Sequence, residues 1–248
     1  MEADAILYLA VMIFGAAFLY SSVGHGGASG YLAAMALFGL APLEMKPAAL
    51  ALNILVSSIS TFKYTRVGCF SWKIFWPFAT VSVPFAFLGG LLSVPGVYYK
   101  PIVGTMLIFA AWQLFRKARS ANYDVREPSL LGVVSSGATL GFLSGLTGVG
   151  GGIFLSPLLI FLRWAEVKKV SGVAAAFILV NSSAALLGFM TSATPQLPEG
   201  LPVWAIAAVL GGLLGAEYGS RRLDSPTIKQ LLAVVLLIAG AKMAGTAY

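Results

Sequence analysis

The sequence predicts an all-α integral membrane protein built from two inverted-topology repeats of about five helical segments each. Three observations predict it. First, the 248-residue chain is 58% hydrophobic and only 10% charged, with mean hydropathy +0.89, whereas a soluble domain carries about a quarter charged residues. Second, residues 18–60 shifted by 124 positions overlie 142–184 without a gap. Third, most positive charges fall in alternate loops, which sets the orientation of each half.

Ten apolar segments can be drawn, at 4–22, 26–40, 47–65, 72–94, 99–116, 129–147, 150–163, 169–191, 202–219 and 226–246. Long apolar runs point to helices, because a spanning backbone must satisfy its polar groups internally and strands of a barrel alternate instead. The first segment follows Glu2 and Asp4. A signal peptide wants a positive flank there, so this segment reads as a retained helix. Pro101, Pro128, Pro202 and Pro226 mark helix starts, where the missing N–H costs nothing. Segments 26–40 and 150–163 fall short of the roughly 20 residues a crossing needs, so they read as partial spans. Pro84 and Pro157 read as kinks or breaks.

The shift of 124 superposes Gly24, Gly26 and Gly27 on Gly148, Gly150 and Gly151, and Ile54-Leu55-Val56 on Ile178-Leu179-Val180. Two such triplets at one offset indicate internal duplication. The first repeat is residues 1–120 and the second 121–248, in one membrane domain. The basic residues Lys63, Arg66, Lys73, Arg116, Lys117, Arg119, Arg126, Arg163, Lys168, Lys169, Arg221, Arg222 and Lys229 lie in four alternate loops and make up thirteen of the 16. Lys46, Lys100 and Lys242 lie on the other side. The thirteen mark the cytoplasmic face and place both termini outside. If each glycine-broken pair re-enters instead of crossing, later loops keep their side. Either way each half has an odd number of crossings, so the halves are inverted. The net charge of +7 is then a topology signal and excludes a nucleic-acid role.

Inverted repeats with discontinuous helices place a transporter's substrate near the bilayer midplane. The stretches Ser21–Gly30, SSVGHGGASG, and Leu146–Gly152, LTGVGGG, are the predicted breaks. A helix resuming after a break aims its first N–H groups and its positive dipole end into the gap, which suits an anion. Gly24, Gly26, Gly27, Gly148, Gly150 and Gly151 are the candidate backbone donors. Ser22, Thr147 and Ser57 are candidate hydroxyl ligands. Asn53 and Asn181, with Ser58, Ser182 and Ser183, form polar faces on apolar helices. The bland alternatives are close helix packing for the glycines and interhelical hydrogen bonding for the amides.

His25 is the only histidine, and its repeat counterpart is Val149. It is the one obvious titratable group for coupling to protons; a neutral histidine bonded to a carbonyl is the competing reading. Glu217 and Arg221, one turn apart, predict a local pair. The single cysteine, Cys69, excludes an intramolecular disulfide, and there is no cluster to hold a metal. No HExxH, Walker A or GxSxG occurs, and no paired intramembrane carboxylates. These absences predict no enzyme, no cofactor and no ATP-driven pump, and disfavour a cation carrier. A small anion fits amides, hydroxyls and one histidine.

The residues carrying these readings, FLYSSVGHGGASGYLAAMALFG with NILVSSIS, then GFLSGLTGVGGGIFLSPLLIFL, RWAEVKKVSGVAAAF and GGLLGAEYGSRRL, resemble the TauE/SafE family over essentially the whole length. The resemblance implies a bacterial inner-membrane exporter of sulfite or a related organosulfur anion, with the family's glycine motifs at Ser22–Gly27 and Thr147–Gly152. An alternating-access transporter is the leading expectation. A passive anion channel and a non-transporting membrane subunit are the alternatives, and the subunit reading predicts no polar midplane cavity between the motifs. Oligomers are compatible with all three.

Overall fold

The computed structural model describes residues 2–92, 94–115 and 124–221, with 237 and 241. Among these residues the chain is all helical: α1 (Ala3–Ser21), α2 (Ala28–Leu37), α3 (Pro42–Arg66), α4 (Trp72–Leu91), α5 (Gly96–Phe115), α6 (Leu130–Thr147), α7 (Gly152–Phe161), α8 (Val167–Ser192) and α9 (Leu201–Arg221). Helices α1, α3, α4, α6, α8 and α9 hold stretches long and apolar enough to cross a bilayer. Helices α2 and α7 have 10 residues each. The expected tenth segment, 226–246, lies outside the described residues apart from single positions.

Helix starts follow local chemistry. Ser129 caps α6 through Oγ, which accepts from Gly132 N at 3.2 Å, satisfying one of the orphan donors of the first turn. Pro202 sits in the first turn of α9, as expected. Pro101 does not start its helix: α5 begins at Gly96 and carries Pro101 inside. Pro84 and Pro157 also lie inside continuous helices. Helix α3 starts at Pro42, five residues before the expected position, and runs through Pro47. That extension draws Lys46 from its expected loop into a buried helical position.

Two apolar clusters form the core. One gathers residues of α1, α2 and α3 with Trp204 and Ala208 of α9. The other gathers Phe75, Phe78 and Ala79 of α4 with residues of α6, α7 and α8. Thus α4 packs on α6 and α8, while α9 packs on α1 and α3. Small residues make these contacts close. A side chain at Gly141 or Gly145 of α6 would run into the backbone of Ser82 or Ala86; one at Gly215 or Gly219 of α9 would run into that of Phe18 or Ser22. Without a solvent-driven hydrophobic effect between helices, such intimate packing holds a membrane bundle together. The long helices α3 and α8 lie against each other between the two clusters.

At helix starts, Lys73 of α4 pairs with Glu127, and Lys169 of α8 with Glu166. Glu217 has a long-range partner, Lys63 of α3; the side chain of Arg221, the local partner the sequence pointed to, lies outside the described residues. The local pattern cannot report that α9 lies along α3.

Candidate functional site

Both glycine stretches are real interruptions of the helical chain. Helix α1 ends at Ser21 and α2 begins at Ala28; α6 ends at Thr147 and α7 begins at Gly152. The turns need left-handed backbone: φ is +77° at Gly24 and +103° at Gly27, and +79°, +83° and +73° at Gly148, Gly150 and Gly151. Only glycine adopts such angles without steric cost.

The interrupted helix ends have their carbonyls satisfied by tyrosines from elsewhere. Tyr64 Oη of α3 donates to the carbonyls of Ser22 and Ser21, at 2.8 and 3.2 Å. Tyr99 Oη of α5 donates to Thr147 O at 2.8 Å. Carbonyls freed inside a bilayer need such partners, since each unpaired group costs several kcal/mol in hydrocarbon. Tyr31 Oη similarly donates to Gly26 O at 2.7 Å.

The two stretches meet at Asn53, in the middle of α3. Ala28 N, at the start of α2, donates to Asn53 Oδ1 at 3.2 Å, and Asn53 Nδ2 donates to Ser182 Oγ of α8 at 2.8 Å. A side chain at Gly26 would collide with Asn53 from one side and one at Gly150 from the other; Ile178 of α8 flanks both. Asn53 is fully buried. One carboxamide therefore touches the first break, the second break and α8. His25 also reaches into the second half: its Nε2 lies 3.1 Å from Ser156 Oγ of α7, and its Nδ1 3.1 Å from Val23 O.

Other predicted ligands are placed differently. The hydroxyls of Ser22, Ser57 and Thr147 turn back onto Leu19, Ile54 and Leu143 carbonyls of their own helices. For Ser22 and Thr147 it is the backbone carbonyl that other elements engage. Asn181 donates to Phe177 O at 2.8 Å, and its buried Oδ1 has no partner among the described residues. It does not bond Asn53. Gly27 and Gly151 cap α2 and α7 at their N-termini. Gly148 lies against Lys46 rather than Asn53.

The sequence reading did not anticipate Tyr64, Tyr99, Ser156 or Lys46. A tyrosine within an apolar helix is a usable signal, because its hydroxyl needs a partner when buried.

Along α3 the contacts have an order. Tyr64, near its end, holds the first break; Asn53, at its middle, touches both; Lys46, near its start, touches the second. Gly24 in turn abuts the Ser171 backbone, beside the basic start of α8. Gly24, Gly26–Tyr31 and Thr147–Gly152 are all buried, so the junction is closed. A groove of about 570 Å³ lies elsewhere, between α4 and α6 near Lys73, Glu127 and Trp164, and includes neither glycine stretch.

These features define a multi-pass helical membrane protein with two interrupted helix pairs meeting at a buried polar junction. The chain belongs to the TauE/SafE family: the family described as "Sulfite exporter TauE/SafE" matches residues 9–243. It is similar to a probable membrane transporter protein, y4hK, of Sinorhizobium fredii, at 41% identity over 98% of this chain and 99% of that one. A probable membrane transporter protein, ORF9, of Sinorhizobium sp. is 28% identical over 94% of this chain and 91% of its own length. One from Methanocaldococcus jannaschii is 26% identical over 75% and 73%. No solved structure matches the chain.

Proposed function

We propose that the chain is a secondary transporter that exports sulfite, or a related small sulfur-containing anion such as a sulfonate, by alternating access across a bacterial inner membrane. Its two halves, 1–120 and 121–248, are inverted copies with both termini periplasmic. The observation that carries the reading is the convergence of both glycine breaks on Asn53. Inverted halves with broken helices meeting at mid-membrane are a recurring transporter design.

Two further features support the inversion. The breaks contact α3 at opposite ends, as expected if each enters from its own face. The exchange of α4 and α9 between clusters is what a two-fold related pair of repeats would give.

In this reading the substrate sits at the N-termini of α2 and α7. There the N–H groups flanking Gly26, Gly27, Gly150 and Gly151 and the positive dipole ends favour an anion. Asn53 Oδ1 now accepts from Ala28 N. An anion oxygen would take over that donor and release the carboxamide, coupling binding to the Asn53–Ser182 bond between the halves. The closed junction is the arrangement the non-transporting reading expects, and in the transport reading it opens to one face at a time during the cycle. His25, bonded to Ser156 across the halves, is the proton-sensitive element if export is proton-coupled.

The test is flux in proteoliposomes loaded with sulfite, sulfate, thiosulfate or small sulfonates. Uphill countertransport of labelled sulfite driven by unlabelled sulfite is expected. Single-channel conductance steps would favour a passive channel, and no flux of any anion would favour a non-transporting subunit.

A further inference from the structure

The groove of about 570 Å³ between α4 and α6 takes no part in the glycine junction, and its two ends differ in chemistry. Ligand pockets run to about 300–1,000 Å³, so it is large enough for a sizeable ligand. One end is charged, with Lys73, Arg126, Glu127, Glu166 and Lys169 around it. The rest of its wall is apolar, from Ile74, Pro77 and Val81 of α4 and Val133 and Val134 of α6. Trp164 also lines it, its ring 6.0 Å from that of Phe78.

The charges are not equivalent. Lys73 pairs with Glu127 and Lys169 with Glu166, so each carboxylate already has a cation. Arg126 is left over: no carboxylate lies within ion-pair distance of it among the described residues. Its backbone is held in place, because Arg126 N donates to Arg163 O at 2.8 Å, tying the segment before α6 to the turn after α7. The mouth therefore carries a surplus positive charge, on the side chain best shaped to fork onto a phosphate.

Depth points to the occupant. On α4 the lining runs from Ser71 to Val81, about 15 Å at 1.5 Å per residue. That is half of a hydrocarbon core about 30 Å thick, the span of one leaflet. Trp72 and Trp76, 60% and 56% exposed, stand at the same helix start, where the tryptophans of a membrane protein meet the headgroups. A small soluble anion would use only the charged mouth. A molecule with a phosphate at one end and an alkyl chain at the other uses the whole groove. Lys73, Arg126 and Lys169 belong to the basic loops, so on the proposed topology the mouth faces the cytoplasmic leaflet, whose surface is negative.

We propose that the α4–α6 groove binds an anionic diacyl phospholipid of that leaflet, with the phosphate on Arg126 and one acyl chain along Pro77, Val81 and Val134. The lipid fastens α4 to α6 and to the start of α8, whose Lys169 shares the mouth. The site is separate from the Asn53 junction and does not depend on which anion is carried.

The experiment uses the full chain in detergent, with phosphatidylglycerol, phosphatidylcholine of the same chains, or inorganic phosphate added. Native mass spectrometry reads the lipid retained, and thermal unfolding reads its effect. Wild type is expected to retain phosphatidylglycerol and to gain about 5 °C or more at saturating lipid. Phosphatidylcholine, with no net charge, should be retained less, and inorganic phosphate should not stabilise. Arg126→Gln should lower phosphatidylglycerol retention about fivefold, and Arg126→Lys, which keeps the charge, should lower it less. Val134→Trp, which fills the apolar part and leaves the mouth intact, should abolish the thermal shift; Arg126→Gln, at an exposed position, decides alone should that variant not fold. Equal retention of phosphatidylcholine, equal stabilisation by inorganic phosphate, or retention unchanged in Arg126→Gln would each overturn the proposal. So would a wild-type dimer that Val134→Trp converts to monomer, since a second copy would then cover the groove.

Discussion

Asn53 Nδ2 donates to Ser182 Oγ across 2.8 Å, joining residues 129 positions apart in sequence. It is a bond between the two halves of the molecule, made at the point where both glycine breaks press on the same side chain. Removing it leaves Ala28 N–H and Ser182 Oγ without their partner, and a buried donor left unsatisfied costs roughly 1–3 kcal/mol. Asn53→Ala is therefore expected to lower the thermal unfolding temperature in detergent and to reduce flux far more than Ser182→Ala, which disturbs one bond only. Equal effects of the two variants would remove Asn53 from its central position.

The glycines at the junction make a sharper prediction. A methyl at Gly26 or Gly150 meets Asn53, and Gly150 also carries φ +83°. Gly39 has φ +77° and nothing within 4 Å. Gly39→Ala should then cost only the left-handed backbone, about 1 kcal/mol, whereas Gly150→Ala adds a collision with a buried, bonded carboxamide. Expected are near-normal yield for the first and loss of folded protein or of flux for the second. Fluorescence-detected size exclusion and proteoliposome flux read both.

How much of this was legible beforehand follows from what each signal depends on. Helix positions came through because apolar runs report them locally; the breaks came through because glycines stood where a spanning helix would not need them. Asn53 was visible as an amide on an apolar face, but its partner was not. Neither repeat symmetry nor helical periodicity pairs Asn53 with Ser182, since the shift of 124 pairs Ser58 with Ser182. Ser22, Ser57 and Thr147 were equally plausible ligands by composition, yet their hydroxyls bond their own helices. A hydroxyl's choice between its own helix and a neighbour is a rotamer decision that residue type does not encode. Lys46 was misplaced because the apolar segment was drawn from 47, while α3 starts at Pro42 and runs through Pro47.

His25 and Ser156 supply a pH test. With Nδ1 donating to Val23 O, Nε2 accepts from the Ser156 hydroxyl; protonation converts Nε2 into a donor and the serine must turn. If this contact carries coupling, His25→Gln should flatten the flux–pH profile between about pH 5 and 8, where histidine titrates. Ser156→Ala should shift the profile and leave a titration in place. A wild-type profile retained in His25→Gln would exclude the histidine from proton coupling.

The exposed ion pair between the start of α4 and the segment before α6 behaves oppositely. The Lys73 ammonium, by hydrogen bond and then by charge, holds the Glu127 carboxyl below the usual carboxylate range. A depressed folded-state pKa contributes stability above the unfolded value, near 4.3, and loses it as pH falls through the lowered pKa. Both partners are more than 80% exposed, where solvent and salt screen the interaction. Glu127→Gln should therefore leave thermal stability at neutral pH within error and change nothing in flux. A marked loss would mean that the α4–α6 groove it borders takes part in the cycle.

The orientation of the whole arrangement is open to a direct measurement. Thirteen of the 16 basic residues fall in four alternate loops, and on the proposed topology a reporter fused beyond Tyr248 samples the side opposite them. Alkaline phosphatase fused there should be active and green fluorescent protein dark, while fusions in the loop after Arg116 should give the reverse pattern. Glu217 adds an internal control. Its pairing with Lys63 brings the end of α9 beside the end of α3, whose following loop is basic, so a fusion after Arg222 must report the same side as one after Gly68. Opposite signals from those two sites would contradict the packing of α9 on α3, and a fluorescent C-terminal fusion would turn the periplasmic assignment of both termini over.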